Sequence, residues 1–170
     1  MLQHLHQELV SQAAQIFKLP CQITPKALQQ GAIQAALNRL LASNIAEGDV
    51  DFLIDKWLHV HITDLDLSWV MSLQREKITV KLGQHAADVH FSADLNDLVL
   101  IAGRKEDPDT LFFQRRLHIS GDTELGLEVK NLLDALELET LPLNGHLVVD
   151  KLSQFVAQGV SLSQQKKAMS

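Results

Sequence analysis

The residue types that usually carry chemistry are sparse in this chain. Cys21 is the single cysteine, and nothing in the sequence marks the base and the orienting partner that a nucleophilic cysteine needs. His59 and His61 stand two apart, so on a strand both would point the same way, as two metal ligands can. The residues that alternate with them are apolar, which places the histidines on the wetter face without an evident third ligand. We therefore expect no catalytic residue, no resident metal and no cofactor.

Motifs that announce an enzyme are missing from the sequence as well. It lacks a phosphate-binding glycine loop, a nucleophile elbow and a pair of zinc-binding histidines on a helix. The aspartates near turns and helix starts are interpreted as turn, cap and solvated-face residues rather than as a catalytic pair. These are Asp64, Asp66, Asp94, Asp97, Asp107 and Asp109. An enzyme that uses Cys21 or the histidine pair is kept as a less favoured alternative.

The composition is that of a globular protein. Of 170 residues, 46% are hydrophobic and 21% charged, which fits one folded domain with short extensions. The single cysteine cannot form an internal disulfide, and the start MLQHLHQELV has neither a basic region nor an unbroken apolar run. No stretch approaches the roughly 18 apolar residues of a spanning helix. We expect a cytoplasmic protein that could still lie peripherally on the inner membrane.

The net charge of −6 is unevenly distributed. Basic side chains outnumber acidic ones both in residues 1–48 and in residues 142–170. The net negative charge of the chain therefore comes from its middle. An acidic middle repels phosphate backbones, and no lysine or arginine run offsets it. Nucleic acid is therefore excluded as an expected partner, whereas the two ends would tolerate an anionic lipid surface.

Helical periodicity dominates both ends of the chain. Apolar residues recur every three or four positions over 2–17, and again from the Thr24-Pro25 start to about Ala46, where Gly48 ends the helix. A further amphipathic segment covers 146–160. The sequence thus predicts an N-terminal helical arm at 1–47, a central domain at 48–140 and a C-terminal amphipathic helix with a polar tail at 141–170.

The central part alternates with a period of two before it returns to helix. Strands are predicted around 57–63, 64–71, 78–82 and 87–91, joined by short links that favour an antiparallel meander. A helix from Ser92 to Gly103, a short one after Asp107, a fifth strand at 116–120 and a helix from Asp122 follow. The fold class is therefore α+β.

Apolar residues exceed what so small a sheet obviously needs. Two tryptophans, three phenylalanines and two leucine-rich helices gather around one side of the predicted sheet. A filled core is the plainer explanation, and periodicity alone cannot distinguish it from a hollow one.

The stretch from Phe91 to Glu139 resembles a known protein family. The stretch FSADLNDLVLIAGRKEDPDTLFFQRRLHISGDTELGLEVKNLLDALELE resembles the second half of the type-2 sterol carrier protein domain in the order and spacing of its elements. The matching elements are Gly103-Arg104, Asp107-Pro108, Leu111-Phe112-Phe113, Arg116 to Asp122, and Leu125 to Leu136. The whole chain is similar to a bacterial branch of that family that serves ubiquinone biosynthesis. Gln114-Arg115-Arg116 departs from the family, in which a glycine commonly precedes the strand.

The resemblance implies a sterol carrier protein type-2 fold: a five-stranded, mainly antiparallel sheet covered on one face by helices, with an apolar cavity between them and amphipathic helices at both termini. It implies a non-catalytic, lipid-binding accessory role in oxygen-independent ubiquinone biosynthesis. The expected cargo is a polyprenylated quinone precursor or a phospholipid, and the expected protein partners are UbiU- and UbiV-like and other ubiquinone biosynthesis proteins. A scaffold that assembles these enzymes without binding lipid is the alternative.

The cavity is predicted to be lined by apolar residues whose alternation directs them inward. These are Trp57, Trp69, Phe91, Leu98, Ile101, Phe112, Phe113, Leu117, Leu125, Val129 and Leu132. The terminal helices could act as a lid over the cavity, as an anchor for transient membrane contact, as a homodimer contact or as plain packing. The sequence does not choose among these roles.

Overall fold

We describe a computed structural model of the chain over residues 25–83 and 85–135. The expected helix at 2–17, Cys21, Thr24, Leu136 and the segment 146–160 lie outside these described residues. Within them the helices and strands follow in this order: α1 (Lys26–Leu40), α2 (Ala42–Glu47), a 3₁₀ turn (Asp51–Leu53), β1 (Leu58–Ile62), β2 (Leu67–Gln74), β3 (Lys77–Leu82), β4 (Val89–Ala93), α3 (Leu95–Ala102), α4 (Pro108–Phe113), β5 (Leu117–Gly121) and α5 (Thr123–Ala135).

The first described helical region is divided in two, although one helix to Ala46 was predicted. Leu41 separates α1 from α2 with φ −95° and ψ 12°, and its side chain is buried in the core. Gly48 ends α2 as expected, in the left-handed conformation at φ +83° that glycine adopts without a steric penalty. Apolar periodicity continues through the break, which is why the sequence does not reveal it.

The five strands form one mixed sheet in the order β3-β2-β1-β4-β5. Neighbouring strands are antiparallel except β1 and β4, which are parallel, so the predicted α+β class with a mainly antiparallel sheet is confirmed. The predicted four-strand meander is wrong at β4, which lies beside β1 instead of β3. From β3 to β4 the chain passes β2 and β1, a lateral distance of three strand spacings or about 14 Å, and residues 83–88 can span about 20 Å when extended. In this position β4 has a partner on both sides, β1 and β5.

The two faces of the sheet differ as the alternation predicted. Leu58, Val60 and Ile62 are buried, and the intervening His59 and His61 lie on the opposite face. On the apolar face the strand register aligns one continuous row across the sheet. This row consists of Leu82, Trp69, Val60, Phe91 and Ile119.

Helix α5 packs on the β4 and β5 end of the sheet, and α4 contacts both β5 and α5. The helix starts are hydrogen-bonded as predicted: Asp107 Oδ2 accepts from the Thr110 N–H at 3.2 Å, and Asp122 Oδ1 from the Leu125 N–H at 3.0 Å. Asp64 Oδ1 accepts the Leu95 N–H at the start of α3. These hydrogen bonds fix the starts of α3, α4 and α5, and both α4 and α5 contact β5.

Candidate functional site

An apolar groove of about 320 Å³ lies at the surface between α4, β5 and α5. Its volume is close to the lower end of the roughly 300–1,000 Å³ range of ligand pockets. Apolar atoms dominate its walls. The groove is lined by Asp109, Phe112, Phe113, Ile119, Ser120, Gly121, Asp122, Thr123, Gly126, Leu127 and Lys130.

Large apolar side chains on the groove are left in contact with solvent. Phe113 is 81% exposed, Leu127 55% and Phe112 41%. The two phenylalanine rings meet edge to face, with their centroids 6.0 Å apart and their planes at 74°. A cluster of exposed apolar side chains on a folded chain is typical of a surface that binds an apolar ligand or a partner.

Two glycines let the backbone approach closely beside the groove. A Cβ added at Gly126 would lie 3.0 Å from Ile119 Cγ2, so α5 rests directly on β5. A Cβ at Gly121 would lie 2.5 Å from the Asp88 carbonyl oxygen, and Gly121 has φ +104°. At Gly126 the α5 backbone lies directly against the Ile119 side chain, and at Gly121 the end of β5 lies against the backbone of Asp88.

An ion pair crosses one side of the groove. Lys130 Nζ of α5 lies 2.6 Å from Asp109 Oδ1 of α4. The hydrogen bond from Lys130 to Asp109 raises the pKa of the lysine above its ordinary value. The pair links the two helices at a polar rim, next to the exposed phenylalanines.

The predicted lining residues fall into three groups in the structure. Phe112 and Phe113 line the groove. Most of the others belong to one packed core cluster, with Leu98 half-buried against it. The cluster members are Trp69, Phe91, Ile101, Leu117, Leu125, Val129 and Leu132.

Trp57 stands apart from the other predicted lining residues. Lys81 Nζ lies 4.3 Å from the centre of the Trp57 ring, and Lys81 alternates with the buried Val80. Trp57 therefore contacts the face of the sheet that carries the histidines. Sequence reasoning also missed Ile119 and Leu127 in the groove. Alternation with Leu117 could have found Ile119, whereas Leu127 lies off the apolar stripe of its helix.

The opposite face of the sheet carries a histidine cluster. The His59 ring lies 5.2 Å from that of His90 and 6.3 Å from that of His61, measured between centroids. Burial, and then the nearby His90 and His61, lower the pKa of His59. Across residues 25–83 and 85–135, no three histidine, cysteine or acidic side chains are arranged to hold a metal ion.

One aspartate differs from the expectation of a cap or solvated residue. Asp97 on α3 is buried and pairs with the Arg116 guanidinium just before β5. Burial raises the pKa of the Asp97 carboxyl, and the effect of burial outweighs the opposing effect of Arg116. A buried carboxylate needs a charged or hydrogen-bonding partner. Arg116 is that partner for Asp97, so the ion pair links α3 to the residue that precedes β5.

Among the described helices, none is both long enough and apolar enough to cross a bilayer. That finding concerns residues 25–83 and 85–135, and not the amphipathic segments predicted at either end of the chain.

Comparison with known proteins gives the same picture from both sequence and fold. The model of the SCP-2 sterol transfer family matches residues 35–134. The curated ubiquinone biosynthesis accessory factor UbiT of Escherichia coli K12 is 42% identical over 170 residues, which are all of this chain and 97% of that protein. UbiT of Escherichia coli O157:H7 matches equally well. The solved structure of the UbiJ-SCP2 ubiquinone synthesis protein is similar in fold, with a TM-score of 0.53 and 22% identity over 66% of this chain and 98% of its own.

Proposed function

This chain belongs to the SCP-2 sterol transfer family, and from that membership we propose that it is a non-catalytic accessory factor of ubiquinone biosynthesis that binds the apolar tail of a lipid. The observation that carries the proposal is the groove with its exposed Phe112, Phe113 and Leu127 above the apolar core. Removing apolar surface from water contributes about 25 cal/mol per Å², so a hydrocarbon chain gains by covering these side chains.

The binding path extends from the groove into the domain. Phe112 and Phe113 contact the tail at the surface, and its buried part lies between α5 and the sheet over Phe91, Leu117 and Val129. The remaining members of the path are Trp69, Leu98, Ile101, Leu125 and Leu132. Because these side chains pack in one cluster, a long tail enters only when α5 lifts from β4 and β5.

We also propose a cargo, a pathway and protein partners. The cargo is a polyprenylated quinone precursor or a phospholipid, and the pathway is the oxygen-independent branch with UbiU- and UbiV-like partners. The name of the UbiT relatives supports the biosynthetic role. The groove, with a volume of about 320 Å³, supports binding of part of a long tail. Such a factor keeps the tail out of water while the lipid passes between the proteins that modify its head group.

Lipid extraction tests the proposal directly. Native mass spectrometry of protein purified from its own host, followed by organic extraction, should find lipid on the unsubstituted chain. The double variant Phe112→Ser/Phe113→Ser should lose most of it. The matched control Leu28→Ser/Ile54→Ser removes two exposed apolar side chains that do not line the groove, and should keep its lipid. Absence of lipid from the unsubstituted protein would overturn the proposal.

A scaffold without lipid is the second candidate, and the high exposure of Phe113 favours it, because a protein partner would also cover that ring. The two functions separate in one experiment. A scaffold predicts that Phe113→Ser loses biosynthetic partners in pull-down although no lipid is found on either form. A carrier predicts lipid on the unsubstituted chain whether or not partners are present.

We propose that residues 48–140 form the lipid-binding unit, between an N-terminal helical arm at 1–47 and a C-terminal helix and tail at 141–170. We also propose that the amphipathic segments 2–17 and 146–160 cover the groove, touch a membrane, join two copies or pack on the domain. Deleting residues 146–170 and measuring co-sedimentation with liposomes tests the membrane role. Unchanged sedimentation would rule out a membrane role for residues 146–170.

A further inference from the structure

One buried donor has no acceptor in the described part of the structure. Trp69 lies on β2, is 9% exposed, and its indole Nε1 has no hydrogen-bond partner among residues 25–83 and 85–135. Tryptophan N–H groups usually find a partner when they are buried, because an unmet donor in an apolar interior loses its bond to water without replacement. The orphaned N–H therefore marks a place where an acceptor is expected.

The position of Trp69 connects this donor to the groove. Trp69 pairs with Val60 across β2 and β1, Val60 with Phe91 across β1 and β4, and Phe91 with Ile119 across β4 and β5. Ile119 lines the groove. The row crosses three strand spacings, or about 14 Å, on the apolar face of the sheet. Apart from the Trp69 N–H, the side chains of this row are hydrocarbon.

We propose that the Trp69 indole N–H donates a hydrogen bond to an oxygen at the polar end of the bound lipid, while the hydrocarbon tail follows the row toward the groove. This inference rests on the proposed function. It defines the ligand class as an amphiphile with a neutral, accepting oxygen close to its tail, such as a quinone or phenol ring oxygen or an ester carbonyl. A pure hydrocarbon would leave the N–H unpaired.

Nuclear magnetic resonance of the unsubstituted protein tests the contact. The chain has two tryptophans, so its spectrum contains two indole N–H signals, which the Trp57→Phe variant assigns. Decylubiquinone should move the Trp69 indole proton downfield, and decylbenzene, which has a ring and the same tail but no oxygen, should not. Dihexanoylphosphatidylcholine, added below its micelle concentration, distinguishes an ester carbonyl from a quinone oxygen as the acceptor.

Trp69→Phe measures what the hydrogen bond contributes. The variant keeps an aromatic ring and removes the donor, so its affinity for decylubiquinone should fall about tenfold. Its affinity for decylbenzene should change much less, and thermal unfolding verifies that it is folded. The comparison of two ligands on one variant separates a lost hydrogen bond from a general loss of packing.

The outcomes separate the two proposals. Equal weakening of both ligands, or an indole signal that neither oxygen-bearing ligand moves while both bind, would overturn the Trp69 contact and leave the lipid-binding function standing. Failure of decylubiquinone, decylbenzene and the phospholipid to bind the unsubstituted chain would overturn the proposed function and this inference with it.

Discussion

The two edge strands of the sheet are protected in different ways. At β3, helix α1 supplies side-chain amides to the outer backbone: Asn38 Nδ2 donates to the Ile78 carbonyl and Asn38 Oδ1 accepts the Ile78 N–H, both at 2.8 Å. Gln34 Oε1 accepts the Val80 N–H at 3.0 Å. At the other edge, β5 lies beside the apolar groove between α4 and α5.

The difference distinguishes an edge whose backbone groups are hydrogen-bonded from an edge beside an apolar surface that a ligand can cover. An open strand edge invites pairing with another chain, and the amides of α1 occupy that edge at β3 as a neighbouring strand would. At β5 the neighbouring contacts are apolar: α5 contacts Ile119 through its own Gly126, and Phe112 and Phe113 of α4 are left in contact with solvent. Apolar contacts of that kind have little directionality, so the tail of the proposed lipid can replace them, whereas the amides of α1 hold the β3 backbone in a fixed geometry.

The largest effect is expected at the end of β5. Gly121→Ala introduces a Cβ at φ +104° that would lie 2.5 Å from the Asp88 carbonyl oxygen. Strain and overlap act together, so the free energy of unfolding should fall by more than about 3 kcal/mol in urea titrations.

Two other glycines allow the effects of backbone strain and of steric overlap at Gly121 to be measured separately. Gly83 has φ +102°, but a Cβ added there would meet no atom of the described residues within 4 Å apart from its chain neighbours, so Gly83→Ala should lower the free energy of unfolding by only about 1–2 kcal/mol. A Cβ added at Gly31 in α1 would likewise meet no described atom outside its own helix backbone, and Gly31→Ala should raise the free energy of unfolding by up to about 1 kcal/mol. If Gly121→Ala were no worse than Gly83→Ala, the close approach of β5 to Asp88 would be unimportant.

The next effect is expected at the β3 edge. Asn38→Ala leaves the N–H and the carbonyl of the buried Ile78 without their side-chain partner, and should lower the free energy of unfolding by about 2 kcal/mol. Arg39→Ala, at the neighbouring, exposed position of the same helix, is the control and should change it by less than about 0.5 kcal/mol. Equal behaviour of the two variants would mean that the amide of Asn38 does not protect the edge.

A smaller effect, on binding instead of stability, is expected in the groove. Phe113→Ser removes a ring that solvent already surrounds, so the free energy of unfolding should change by less than about 0.5 kcal/mol. The affinity for decylbenzene should fall about fivefold, because apolar contact with the tail is lost. Leu28→Ser, at a position 63% exposed on α1, should alter neither quantity. A stability loss at Phe113 would indicate that the ring serves the fold.

The smallest effect is a pH dependence beside the end of β5. The Trp57 N–H, at 2.8 Å, and then Lys56 hold the pKa of Asp88 below its ordinary value of 3.8. A lowered carboxyl pKa adds stability that is complete above the unfolded value and is lost as the pH falls through the folded one. The stability difference between the unsubstituted chain and Asp88→Asn should therefore shrink between about pH 5 and about pH 2. A constant difference would mean that the charge of Asp88 contributes nothing.

Much of the secondary structure could be predicted because its cause is local. Alternation around Val60 separates the buried face of β1 from the histidine face, and Asp107 and Asp122 cap the helices that follow them. Phe112 and Phe113 were predicted to line the site, and the structure places both in the groove. Their participation in lipid binding is still a prediction.

Other features escaped prediction because they depend on partners distant in sequence. The pairing of β4 with β1, the burial of Asp97 beside Arg116, and the contact of Trp57 with Lys81 each join residues that no local pattern relates. The bend at Leu41 lies within an unbroken apolar periodicity.

The sequence by itself determined the α+β class, the apolar and polar faces of each strand and most helix starts, because side-chain alternation and capping act over a few residues. Only the tertiary structure decided the strand order, the covered edge at β3 and the row from Trp69 to Ile119. Those depend on which strands become neighbours, and the free energy of that choice comes from burying apolar surface and satisfying backbone groups across the whole domain.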